Sequence, residues 1–92
     1  MKVVVLYRPK SEHGRRIEEF VEEFGRRYPD HHLEVIDVDS KEGVATAGLY
    51  DVMQYPCILV LQNDGYFTKS WTGDNIPLME EVAYYAGQGA SA

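Results

Sequence analysis

Three features of this 92-residue sequence predict an α/β domain built on a mixed four-stranded sheet. A valine-rich run, an amphipathic helical stretch and a second apolar run follow one another between Lys2 and Val38. That succession is a βαβ unit, whose crossover is right-handed in about 98% of cases. Asn63-Asp64-Gly65 separates two further strand-like runs and sets them antiparallel as a hairpin. Between these two halves, Tyr55-Pro56 stands directly before the most apolar run of the chain, Cys57 to Leu61. A proline there removes a ladder donor and fixes its own φ. It fits where an X-Pro bond, often cis, bends the backbone beside a concave surface.

Lys2 to Tyr7 is continuously apolar after the lysine, the pattern of a strand buried on both faces. Arg8-Pro9-Lys10 ends it, and Ser11 or Glu12 is expected to open a helix. Ile17, Phe20, Val21, Phe24 and Tyr28 recur at the helical period on one face. Glu22–Arg26 and Glu23–Arg27 support the solvated face at i, i+4. Tyr28-Pro29-Asp30 stops this helix, and His31-His32 falls in the following loop. The second strand spans Leu33 to Val38, and Asp39-Ser40 caps a short helix from Lys41 to Tyr50, apolar at Val44, Ala47 and Leu49. Gly43 and Gly48 weaken it. After Pro56 come the strand Cys57 to Leu61 and its hairpin partner Tyr66 to Trp71. Thr72-Gly73-Asp74-Asn75 caps a last helix, with Pro77 in its first turn and Ile76, Met79, Val82, Ala83 and Ala86 on its apolar face. The order is therefore βαβαββα, with helices on both faces of the sheet. Residues 1–87 are expected to form a single domain, and 88–92 a flexible tail.

Composition narrows the functional classes. With 45% hydrophobic and 26% charged residues the chain is that of a soluble globular protein. A formal net charge of −6 argues against nucleic acid as partner, because phosphate binding needs clustered lysine and arginine. No apolar run approaches the roughly 18 residues of a membrane span, and the N-terminal run is too short for a signal peptide. One cysteine, Cys57, excludes an intrachain disulfide, and a cytoplasmic location is expected by default.

The order of elements and the stretch Tyr50 to Gly65 resemble the thioredoxin/glutaredoxin superfamily in its minimal form. Tyr50, Tyr55-Pro56, Ile58 to Leu61, Asp64-Gly65 and Gly73 carry the resemblance, which runs from Lys2 to about Gly87. It implies a cis Tyr55-Pro56 bond, with the Tyr55 backbone facing the helix N-terminus near Ser11. In that family the groove between them holds a dithiol and pairs with an extended peptide or glutathione. The chain departs from the pattern at its chemistry. The window Ser11-Glu12-His13-Gly14-Arg15 contains no cysteine in either possible register. The buried acid that assists proton transfer in thioredoxins would fall near Leu6, which is apolar.

Candidate residues then divide into two sets. Lys10, Ser11, Glu12, His13, Tyr55, Pro56, Gly73 and Asp74 line the implied groove, and Arg8, Arg15 and Arg16 make its loop locally basic. Helix N-terminal amides beside cations suit an anion or carboxylate, although Glu12 works against one. The expected function is a binding module for a protein or peptide segment, without dithiol activity and without a cofactor. The alternative is a single-thiol redox or glutathione-linked protein acting through Cys57, with Gly73-Asp74 contacting glutathione. Against it, Cys57 reads as a small buried hydrophobe with no adjacent cation to favour its thiolate. Asp30 with His31-His32 lacks the spacing of a closed metal site, so no metal is expected. Tyr66 and Trp71 could present an aromatic patch or pack on the sheet, and their strand could pair two copies edge to edge.

Overall fold

The computed structural model of the chain describes residues 2–62, 64–73 and 76–87. Its elements are β1 (Lys2–Tyr7), α1 (Gly14–Arg27), β2 (His32–Asp37), α2 (Lys41–Leu49), β3 (Cys57–Leu61), β4 (Phe67–Thr72) and α3 (Met79–Gly87). The strands form one sheet in the order β2-β1-β3-β4. β1 runs parallel to β2 and antiparallel to β3, and β3 runs antiparallel to β4. This is the mixed four-stranded α/β sheet expected from the pattern of apolar runs.

The two central strands explain why those runs are continuous. On β1, Val3, Val5 and Tyr7 face α1 and α3, whereas Val4 and Leu6 face α2. On β3, Ile58 and Val60 join the first layer, and Cys57, Leu59 and Leu61 join the second. Both strands therefore lack a solvent face and carry no polar residue within their buried length. α1 closes the first layer with Ile17, Phe20 and Phe24, and α3 adds Val82 and Ala86. Phe24 is fully buried, and truncation to alanine is expected to cost about 3–5 kcal/mol.

Several boundaries differ from the sequence reading, each for a local reason. α1 starts at Gly14 because Arg8–His13 first closes a turn. The Arg8 carbonyl accepts from the Ser11 amide at 3.1 Å, and the Ser11 carbonyl accepts from the Gly14 amide at 3.2 Å. On the exposed face Arg26 pairs with Glu23 at i, i+3, and Arg15 with Glu19 at i, i+4, in place of the expected pairs Glu22–Arg26 and Glu23–Arg27. His32 opens β2 instead of ending the loop. α2 is capped by Ser40, whose hydroxyl accepts from the Gly43 amide at 3.0 Å. Of its expected apolar face only Ala47 meets the sheet, joined by Gly43, whereas Val44 is 63% exposed and Leu49 75% exposed.

β3 has the expected limits, and β4 is shifted by one residue. Val60 pairs with Lys69 and Leu61 with Phe67, so Thr68 is the extra residue of a β-bulge. α3 begins at Met79, after Pro77, with the Leu78 carbonyl accepting from the Glu81 and Val82 amides. Ile76, Met79 and Ala83 pack beside its buried residues. Asn63 of the hairpin, Asp74 and Asn75 of the expected cap, and the expected 88–92 tail lie outside the described residues. Among the described residues no helix is long and apolar enough to cross a membrane.

Candidate functional site

The end of β1 feeds a loop whose polar groups are turned onto one another. Ser11 donates its hydroxyl to the Arg8 carbonyl at 2.6 Å, and the Arg8 amide donates to His13 Nε2 at 3.1 Å. An imidazole nitrogen that accepts an N–H is unprotonated, so in this geometry His13 serves the loop as an acceptor. The same residue is the N-cap of α1 through its carbonyl, which accepts from the Ile17 amide, and its ring lies 6.5 Å from that of Tyr7. Gly14 lies so close to the Pro9 carbonyl that a side chain there would collide with it. The loop is thereby held down on the first turn of the helix.

Arg8 extends this arrangement across the sheet edge. Its Nε donates to Asp39 Oδ2 at 3.2 Å, just past the end of β2. The hydrogen bond and charge of Asp39 raise the Arg8 pKa, burial opposes them slightly, and Tyr55 and Asp37 add smaller electrostatic contributions. Arg8, Ser11, Glu12, His13 and Arg16 line a broad concavity of about 720 Å3. Lys10 is exposed and does not line it. Tyr7, at the end of β1, donates its hydroxyl to Glu18 Oε2 at 2.9 Å. Burial, then that hydrogen bond and the carboxylate charge, raise the Tyr7 pKa and keep the phenol protonated.

The second half of the site is the turn before β3. The Tyr55–Pro56 peptide bond is cis. Pro56 is buried, and its carbonyl accepts from the Gly73 amide at 3.0 Å. Gly73 has φ +85°, a left-handed conformation that suits glycine, and it stands beside the Gln54 side chain. Among the described residues the Tyr55 main chain makes no hydrogen bond, although its ring packs on the α2-side core. Asp74 lies outside the described residues.

Cys57 follows at once and is sealed. It is 0% exposed, packed with Leu6, Leu59 and Val52 on the α2 side of the sheet. Burial pushes its thiol up from the ordinary 9.0 to about 11. Leu6, beside Cys57 in the β1–β3 ladder, is likewise fully buried. His31 is in ring contact with Phe24 and Tyr28, at 6.1 and 6.0 Å between centroids. Trp71 packs against the α1/α3 layer edge-on to Tyr85, with Lys69 over both rings, while Tyr66 is exposed.

The structure thus assembles Ser11, Glu12 and His13 into one concavity, and Tyr55, Pro56 and Gly73 into a neighbouring turn. Asp39 was expected from the sequence only as part of a helix cap, not as a residue of the site. It stands 31 positions from Arg8, and only the parallel β1–β2 pairing brings the two loops together.

No protein-family model matches the chain, and no curated protein matches it in sequence. Solved structures do match its fold. Thioredoxin 1 of Thermosipho africanus superimposes with a TM-score of 0.70 at 19% identity, covering 99% of this chain and 96% of that one. Oxidised thioredoxin of Plasmodium falciparum gives 0.75 at 24% identity, covering 91% and 79%. Fasciola hepatica thioredoxin gives 0.72 at 22% identity, covering 94% and 77%. These likenesses are of fold. The chain has a thioredoxin-like fold and, with one cysteine, no dithiol motif.

Proposed function

We propose that the chain is a binding module, recognising an extended protein or peptide segment at the turn before β3. The observation that carries this reading is a contrast within three consecutive residues. The Cys57 thiol is sealed in the core, while the Tyr55 main chain is without a partner among the described residues. An extended segment can add its own amide and carbonyl to such a backbone, as a strand does at a sheet edge. Within the Arg8–His13 loop, Arg8 is paired with Asp39, and the exposed Lys10 would steer acidic groups toward the turn. Thiol chemistry needs the thiolate, which burial disfavours here. In this reading the protein needs no cofactor and has no dithiol oxidoreductase activity.

The test is selection of peptides displayed on phage against the folded protein, followed by amide chemical-shift mapping of the winners. The expected peptides are acidic and shift Tyr55 and Gly73. Lys10→Ala should weaken them several-fold, whereas Cys57→Ser should leave them unchanged. Winners that map elsewhere would overturn the reading. A stable glutathione adduct on Cys57 of the folded protein, or turnover of a disulfide substrate, would establish the single-thiol alternative instead.

A further inference from the structure

At the far end of β1, by Lys2 rather than Tyr7, a second concavity of about 380 Å3 opens between α2 and the sheet. Val4, Ile36 and Leu61 form its floor, and all three belong to the apolar layer under α2. Its α2 wall is built from Glu42, Thr46, Leu49 and Tyr50, beside the buried Gly43 and Ala47 through which the helix meets the sheet. Tyr50 closes one end, its hydroxyl donating to the Gly65 carbonyl at 2.7 Å and tying the hairpin turn to the helix terminus. Leu49 forms an exposed apolar lip.

The rim is charged and unbalanced. Lys2 and Glu34 pair at 3.1 Å, which neutralises both. Glu42 and Asp64 remain, and among the described residues neither is in an ion pair. An apolar floor and lip between two carboxylates defines its complement. We infer that this groove docks a segment of a partner protein in which one aliphatic side chain is flanked by lysine or arginine. The aliphatic group covers the floor and Leu49, and the cations meet Glu42 and Asp64. A polyamine would satisfy the carboxylates yet leave the apolar surface in water. An anionic membrane would be repelled by the same carboxylates.

The probe is the capped tripeptide Ac-Arg-Leu-Arg-NH2, titrated into the 15N-labelled protein at low salt. Ac-Arg-Ala-Arg-NH2 and spermine serve as controls. The expected result is a set of amide shifts confined to Glu34, Thr46, Leu49 and Gly65, saturating at lower concentration than with either control. The double variant Glu42→Gln, Asp64→Asn should weaken the complex about fivefold. Leu49→Asn should erase the advantage of leucine over alanine. All three positions are half-buried at most, and an unchanged remaining spectrum verifies that each variant is folded. Equal binding by spermine or the alanine peptide would overturn the inference, as would shifts on the acidic face of α1 or none at all. The groove does not include the Tyr55 turn, so failure at one site leaves the other reading standing.

Discussion

Ionising Cys57 means placing a charge among Leu6, Leu59 and Val52, which is why its proton is held so tightly. The folded thiol titrates near 11 and the unfolded one near 9.0, so in this interval the unfolded chain loses its proton first. The contribution of Cys57 to stability is therefore complete below pH 9 and is lost as the pH rises toward 11, by about 2–3 kcal/mol. Denaturant melts of the wild type and Cys57→Ala across that interval should show the extra slope in the wild type alone. A thiol reagent at pH 8 should label Cys57 only after unfolding, and rapid labelling of the folded protein would contradict its burial. The sequence made this burial legible, because Cys57 opens an unbroken apolar run. It gave no sign of the Arg8–Asp39 ion pair or of the Arg8 amide on His13, since both depend on how loops from different strands meet.

Elements were readable where composition alone decides them, and less so where a turn competes for the same residues. β3 is too apolar and too short to be anything but a buried strand. The start of α1 was obscured because Ser11 uses its side chain to close a turn instead of capping the helix. α2 misled for a different reason: its apolar residues are real, but its sheet-facing positions are taken by residues small enough for close approach. A side chain at Gly43 would strike the Asp37 carbonyl, as one at Gly14 would strike that of Pro9. Gly43→Ala and Gly14→Ala should each destabilise the fold by about 1–3 kcal/mol. Gly25→Ala, in open space on α1, should instead stabilise it by about 0.5–1 kcal/mol. Urea midpoints of the three variants test the contrast. At the end of α2, Tyr50→Phe removes the bond to Gly65 and should cost about 1 kcal/mol by the same assay.

At the scale of the molecule, the sequence expectation of edge-to-edge pairing concerns β4, the edge beyond β3. Two features blunt that edge. Lys69 sits in mid-strand, folded over Trp71 and Tyr85, and the bulge at Thr68 interrupts the flat run of donors and acceptors. Sedimentation velocity is expected to show a monomer at micromolar concentration, and Lys69→Val should shift it toward larger species. A dimer of the unmodified chain would mean that the edge is not protected. The architecture was legible from alternating apolar runs and one hairpin signal. The second groove was not, because its walls come from α2, the sheet and the hairpin turn, which only the folded chain brings together.

The sealing of Cys57 also makes the protein a convenient object for spectroscopy. A cysteine introduced at an exposed position, such as Lys10→Cys or Leu49→Cys, would be the one thiol a maleimide dye can reach without denaturation. A fluorophore or spin label could then be placed beside either groove while the native residue stays where it is, and each site could be followed in its own variant.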